Sequence, residues 1–172
     1  KPSVSGFLTK FSKNLLTSDL ASFLLDLYRT LPNRVSIENQ LRDRHYPSAI
    51  GHFMVSEFSK DEFEPYWEHI QPRLNHRLEL IYARVLKYNV GCYIEPHLDT
   101  YNSTTQSQSD VSLIIQLNDP NEYEGGDMVI NNRKQKLNIG DAVYYTYDAE
   151  HGVTPVTKGI RYVANLRLKT VK

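Results

Sequence analysis

From residue 79 to residue 170 the chain is a succession of short β-branched and aromatic segments parted by turn signals, and that pattern leaves few folds open. "ELIYARVLKYN" and "DVSLIIQLND" interleave Ile, Val, Leu and Tyr with polar residues, as strands do. "GDMVINN", "KQKLNIGDAVYYTYD" (two strands, broken at Gly140-Asp141) and "GIRYVANLRLKT" continue the series. Strands at such short intervals predict an antiparallel barrel or sandwich.

The first 78 residues have a different texture. "TSDLASFLLDLYRTLPN" predicts an amphipathic helix, capped by Thr17 or Ser18 and stopped at Pro32-Asn33. Its apolar face would carry Leu20, Phe23, Leu24, Leu27 and Leu31. "AIGHFMVSEF" predicts a short strand. "SKDEFEPYWEHIQPRLNHRL" predicts a second helix with an acidic first turn and Pro65 near its start, kinked or divided at Pro72. The expectation is one domain over residues 1–172: a helical support region over 1–78 backing a strand-built core over 79–172.

Composition narrows the partners. Twenty basic and twenty acidic residues cancel, so nothing in the overall charge calls for a nucleic acid or a membrane surface. One cysteine, Cys92, excludes an internal disulfide framework and suits a reducing compartment. No apolar run approaches the roughly 20 residues that span a bilayer, and "KPSVSGFLTKF" lacks the apolar stretch of a secretory signal. The expected location is therefore cytoplasmic. Twelve tyrosines, apolar bodies with polar tips, suit a barrel interior that holds a small polar ligand.

Within the strand-rich part, "YIEPHLDTYN" places His97 and Asp99 two residues apart. On a strand, residues i and i+2 share a face, so both side chains can converge on one point. The pair is either two-thirds of a metal site or a chance occurrence on a wet strand end. A third ligand must come from elsewhere, and His151, at the junction between "AVYYTYDAE" and "GVTP", is the best placed. Two histidines and a carboxylate on one face of a metal leave three positions open, the arrangement of non-haem Fe(II) oxygenases. Arg161, ten residues further on, begins the last strand, which an antiparallel return would lay beside the one ending at His151. A guanidinium inside a barrel needs a carboxylate, which a dicarboxylate cosubstrate would supply; the alternative is an arginine reaching out to solvent. "TYNSTTQSQSD", polar and unpatterned, reads as a loop at the mouth of the same site, with Tyr101 and Asn102 as candidate substrate contacts.

Taken together, "HLD" at 97–99, "LNDPNEYEGGDMVI" at 117–130 and "HGVTPVTKGIR" at 151–161 resemble the Fe(II)- and 2-oxoglutarate-dependent dioxygenases, most closely the prolyl 4-hydroxylase-like branch. The resemblance covers roughly residues 79–170. It implies a double-stranded β-helix (jelly roll) packed against the N-terminal helices, with Fe(II) held by His97, Asp99 and His151. It also implies that Arg161 holds the distal carboxylate of 2-oxoglutarate and that Tyr88 lies beside the cosubstrate. Asn165, at even spacing from Arg161, is expected to face inward near the metal. Gly125 and Gly126 match the family's turn before an inner strand. The activity implied is hydroxylation of a C–H bond, of a prolyl residue in a peptide or protein, or else of a free amino acid or small metabolite. O2 is the second cosubstrate, and ascorbate a candidate reductant.

Two positions depart from the branch. Gln116 stands where a cosubstrate-binding tyrosine often precedes "LN"; its amide can still donate to a carboxylate, so it is kept as a cosubstrate contact. Arg167 stands where Trp is often found, and the pair Arg161–Arg167 resembles the AlkB-like nucleic-acid demethylases. The "NEYEGGD" segment and the neutral net charge weigh against that branch. A non-catalytic jelly-roll binding module and a cupin-type metal barrel that uses no 2-oxoglutarate are the remaining rivals. Arg161 separates them, because only a 2-oxoglutarate enzyme needs that charge buried.

Overall fold

The computed structural model describes residues 9–30, 44–48, 50–99 and 110–171. In chain order they form β1 (Thr9–Ser12), α1 (Ser18–Thr30), β2 (Arg44–Ser48), β3 (Gly51–Phe58), α2 (Lys60–Ile70), a 3-10 turn (Gln71–Arg73), β4 (Leu78–Tyr88) and β5 (Tyr93–His97). Then come β6 (Val111–Gln116), a second 3-10 turn (Pro120–Glu122), β7 (Tyr123–Gly125), β8 (Met128–Ile130), β9 (Arg133–Gln135), β10 (Ala142–Thr146), β11 (His151–Val153), β12 (Val156–Gly159) and β13 (Arg161–Thr170).

Eleven strands join in one sheet, in the order β1-β10-β6-β13-β4-β3-β5-β11-β8-β9, with β2 on β3; β7 and β12 pair separately. Each pairing is antiparallel. Side chains from β3, β4, β5, β6, β8, β10, β11 and β13 line a single cavity, so the sheet must curl around it. This is the mainly β jelly roll that the sequence implied.

The curl creates two cores. Outside it, Leu24, Leu25 and Tyr28 of α1 and Phe63 and Ile70 of α2 pack on Val85, Leu113, Ile115, Ala164, Leu166 and Leu168 of the sheet. Inside it, Phe53, Val55, Leu86, Tyr88, Ile114, Val143, Tyr145 and Val163 pack among themselves. Because alternate strand residues point to opposite faces, β6 and β13 feed both cores and are buried for most of their length.

Some details match expectation and others differ. Thr17 caps α1, its Oγ1 accepting from the Leu20 N–H at 3.1 Å. The helix buries Ala21, Leu24, Leu25 and Tyr28, an i, i+3, i+4, i+7 stripe, and leaves Phe23 66% exposed on the far side. At α2 a capping box joins Ser59 and Glu62, and Pro72 divides the predicted helix by opening the 3-10 turn. The region before residue 79 is more than helical support: β1 hydrogen-bonds to β10, and β3 lies between β4 and β5 in the main sheet. No helix among the described residues is long and apolar enough to cross a membrane.

Candidate metal centre and cosubstrate pocket

β5 ends at His97, with Asp99 just beyond it, and β11 begins at His151, directly opposite His97 in the antiparallel register. The two strands come unusually close. A Cβ on Gly152 would sit 2.7 Å from both the Ile94 carbonyl oxygen and the Pro96 nitrogen, so only glycine fits next to His151. The result is a tight group: His151 Nε2 lies 3.3 Å and His97 Nε2 3.5 Å from the same Asp99 oxygen, Oδ1. Their ring centroids are 4.4 Å apart.

Backbone contacts settle the chemistry of both imidazoles. His97 Nδ1 is 2.8 Å from the Glu95 carbonyl and His151 Nδ1 is 2.9 Å from the Ala149 carbonyl. A carbonyl only accepts, so each Nδ1 carries its proton and donates, which turns each Nε2 toward Asp99. Two imidazole nitrogens and a carboxylate oxygen thus lie within 4.8 Å of one another, a set of ligand atoms that can hold a metal ion. Burial pushes the Asp99 carboxyl up, but hydrogen bonds with His151 and His97 outweigh it and hold the group well below the usual carboxylate range. The bond to Asp99 in turn raises the His97 pKa, against the opposing effect of burial. The second carboxylate oxygen, Oδ2, accepts from Ser112 Oγ at 3.1 Å and lies 3.8 Å from Arg167 Nη1. Both oxygens are thus oriented.

Arg161 opens β13 and lines the same cavity, and it is 2% exposed. Its guanidinium carbon lies 4.9 Å from the centre of the Tyr88 ring, its cross-strand neighbour. Burial raises the Tyr88 pKa, opposed by the Arg161 charge. Arg161 Nη1 is buried with no hydrogen-bond partner, and no carboxylate among the described residues pairs with the guanidinium. A buried cation left unsatisfied costs several kcal/mol, so the position is built for an anion.

His97, Asp99, His151, Arg161, Tyr88 and Asn165 all line the one cavity. Their route to it differs from expectation in one respect. β13 pairs with β4 and β6, while β11 pairs with β5 and β8, so Arg161 meets the His151 site across the curled sheet and not from a neighbouring strand. Gln116 is a correction: it does not line this cavity. Its amide nitrogen donates to the Asn118 carbonyl at 2.9 Å and the Tyr123 hydroxyl at 3.1 Å, which keeps it turned away. Gly125 and Gly126 both take positive φ, and a Cβ on Gly126 would press to 3.3 Å from Arg161 Cδ, so the glycine turn leaves room for the arginine stem. Tyr101, Asn102 and the rest of the 100–109 loop lie outside the described residues.

Sequence reasoning missed Ser112 and Arg84, and it gave Arg167 no contact with Asp99. Even spacing on β13 places residues 161, 163, 165 and 167 on one face, and that signal was sufficient to bring Arg167 inward. Tyr145 lines the cavity with its ring tilted against His151, the centroids 4.4 Å apart, while Tyr144 joins the outer core, dividing the tyrosines as strand alternation requires. Burial, with the Asp99 charge adding to it, pushes the Tyr145 hydroxyl well above the usual phenol range, so it stays a neutral donor.

Comparison with known proteins agrees. The curated relatives include a PKHD-type hydroxylase of Aliarcobacter butzleri, 34% identical over 94 residues, which are 49% of this chain and 42% of that protein. The chain thus spans less than half the length of that relative. Among solved structures, a Pseudomonas putida prolyl-4-hydroxylase superposes with a TM-score of 0.69 at 14% identity, covering 96% of this chain and 94% of that one. A Trichoplax adhaerens prolyl hydroxylase in complex with a hypoxia inducible factor peptide fragment superposes with a TM-score of 0.60 at 16% identity, covering 95% and 84%. At such identities these structures share the fold. The sequence profile of the 2OG-Fe(II) oxygenase superfamily matches residues 83–168, the stretch holding both histidines, Asp99 and Arg161, and the chain belongs to that superfamily.

Proposed function

We propose that this chain is an Fe(II)- and 2-oxoglutarate-dependent hydroxylase acting on a C–H bond of a prolyl residue in a peptide, or of a free amino acid. One observation carries the reading: a cluster of three metal-ligating atoms and a buried, unpartnered Arg161 Nη1 face the same cavity. The donor set fits Fe(II), and the orphaned guanidinium nitrogen fits a carboxylate, so the residues present suit both groups.

His97, Asp99 and His151 would hold the metal through Nε2, Oδ1 and Nε2, each pre-aimed by a second contact on its far side. Arg161 would bind the distal carboxylate of 2-oxoglutarate, flanked by Tyr88. Bound together, iron, 2-oxoglutarate and O2 supply the oxidising chemistry that turns C–H into C–OH, with succinate and CO2 as co-products. Apolar walls from Leu86, Ile114, Met128 and Val163 would exclude water from that chemistry. The prolyl substrate class rests on likeness to the prolyl hydroxylases above. We read residues 1–172 as one working domain.

The test is anaerobic titration of the metal-free protein with Fe(II) and 2-oxoglutarate, followed by the visible charge-transfer band of the chelate. A saturable band that His97→Ala removes supports the reading. Its absence, in folded protein with ligands in excess, returns the chain to a binding module. Turnover assays on proline peptides and free amino acids should include ascorbate.

A further inference from the structure

The two oxygens of Asp99 have different neighbours. Oδ1 is the atom both imidazoles face, with His151 Nε2 at 3.3 Å and His97 Nε2 at 3.5 Å. Oδ2 meets Ser112 Oγ at 3.1 Å and Arg167 Nη1 at 3.8 Å instead. Pairing of its own strand does not impose this division, because β5 ends at His97 and Asp99 lies beyond it. The groups on Oδ2 come from strands that β5 does not pair with. Ser112 lies on β6, opposite Tyr145 of β10 on one side and Arg167 of β13 on the other. All three line the cavity. Cross-strand neighbours on one face hold their Cβ atoms about 5 Å apart, so the row spans three strands without a gap.

Proton positions along this row follow from what each group can accept. The ionised Asp99 carboxylate only accepts, so the Ser112 hydroxyl proton goes to Oδ2. A lone pair of Ser112 Oγ is then left for its other partner, the Tyr145 hydroxyl, with which it shares a side-chain hydrogen bond. A protonated phenol donates there, so the chain of donors runs from Tyr145 to Ser112 to Asp99 Oδ2. Tyr145 bears on the ligand cluster a second time, through its ring against His151. One side chain of β10 therefore supports two of the three metal-ligating residues, from a strand that carries none of them. Ser112 and Tyr145 are both buried, so neither contact competes with bulk water.

We propose that Ser112 and Tyr145 are positioning residues for Asp99, a pair of hydroxyls that occupies Oδ2 and presents Oδ1 to the metal as a one-oxygen ligand. The inference rests on the metal-centre reading above and adds what fixes its carboxylate. A carboxylate free to turn about its Cβ–Cγ bond can offer a metal either oxygen or both. Tied at Oδ2, it offers one. Two-oxygen binding would fill a position that one-oxygen binding leaves open, and three open positions are what two cosubstrates on one metal require. Ser112 acts through Asp99, and Tyr145 acts through Ser112 and His151.

The experiment is titration of the metal-free protein with Co(II), a redox-stable divalent probe whose visible absorption reports both affinity and coordination number. The unmodified protein should give a saturable band that His97→Ala removes. Ser112→Ala should weaken Co(II) binding by at least about tenfold and change the band intensity at saturation, because Oδ2 is released to the metal. Tyr145→Phe keeps the ring against His151 and loses only the hydroxyl; it should shift both readings in the same direction by less. Ser112→Thr, which keeps the hydroxyl and suits a strand, should restore both. Denaturant unfolding of each metal-free variant separates this role from a merely structural one, which would lower stability and leave the saturated band as it was. An unchanged affinity and band in folded Ser112→Ala, or equal defects in Ser112→Thr and Ser112→Ala, overturns the inference. If Ser112→Ala does not fold, Tyr145→Phe decides, and an unchanged affinity and band there overturns it. No band in the unmodified protein, or one that survives His97→Ala, overturns the metal-centre reading itself.

Discussion

β13 presents two different surfaces along one strand. Its outward residues Tyr162, Ala164, Leu166 and Leu168 are apolar and packed under the helices. Its inward residues Arg161, Val163, Asn165 and Arg167 carry two cations and an amide into the cavity. The outer face is complete in itself, since every group there is satisfied by packing. The inner face is not, because Arg161 Nη1 has no hydrogen-bond partner among the described residues. One face therefore holds the fold together, and the other withholds stability for the sake of a ligand.

If that division is right, substitutions on the two surfaces will separate. The largest effect is expected from His151→Ala, across the cavity from β13. It should reduce Fe(II)-dependent 2-oxoglutarate turnover to background and leave the melting temperature within a few degrees of the parent; retained turnover would remove His151 from the metal site. Leu166→Ala should do the reverse. Deleting a fully buried leucine costs about 2–5 kcal/mol, read by denaturant unfolding, while the affinity of the folded fraction for 2-oxoglutarate stays unchanged.

Arg161→Met sharpens the contrast further. It should weaken 2-oxoglutarate binding by at least about tenfold and leave the ligand-free protein as stable or more so, because an unsatisfied buried cation is replaced by an apolar chain. A large loss of stability without ligand would show that Arg161 is structural.

The smallest effect is a pH dependence of the metal-free protein. His97 has its pKa raised by Asp99, so its contribution is full below the ordinary histidine range and is lost as pH rises through the raised value. Asp99 has its pKa depressed, so its contribution is present above the ordinary carboxylate range and lost only in strong acid. Stability should be highest between about pH 4 and 6.5 and decline gently above. His97→Gln should flatten that decline. Saturating divalent metal should reverse it, because the metal competes with the proton for Nε2.

The sequence was most informative where a strand is long enough to display its period. β4, β6, β10 and β13 were legible from alternation or continuous apolar runs, and the residues that matter fell in with them: Tyr88, Asn165 and Arg161 occupy inward positions. Strands of three or four residues, such as β7, β11 and β12, are too short to show a period, and β11 holds His151. The face of α1 was misread at Phe23 because the helix has apolar residues on more than one side, and only contact with the sheet selects among them. Gln116 was misassigned for a related reason: its position in the strand was right, but the nearby Asn118 and Tyr123 claimed its amide.

By itself, then, the order of residues pointed through local alternation to antiparallel strands backed by helices, and the resemblance of its motifs to the 2-oxoglutarate dioxygenases grouped His97, Asp99, His151 and Arg161. Alternation and motif spacing both survive in one dimension. Only the tertiary structure decided which strands are neighbours, that Arg161 shares a cavity with the His97–Asp99–His151 cluster across the curl, and that Arg84, Ser112 and Arg167 line it too. Pairing between strands far apart in the chain is set by closing the sheet around one cavity, and no short stretch of sequence contains that condition.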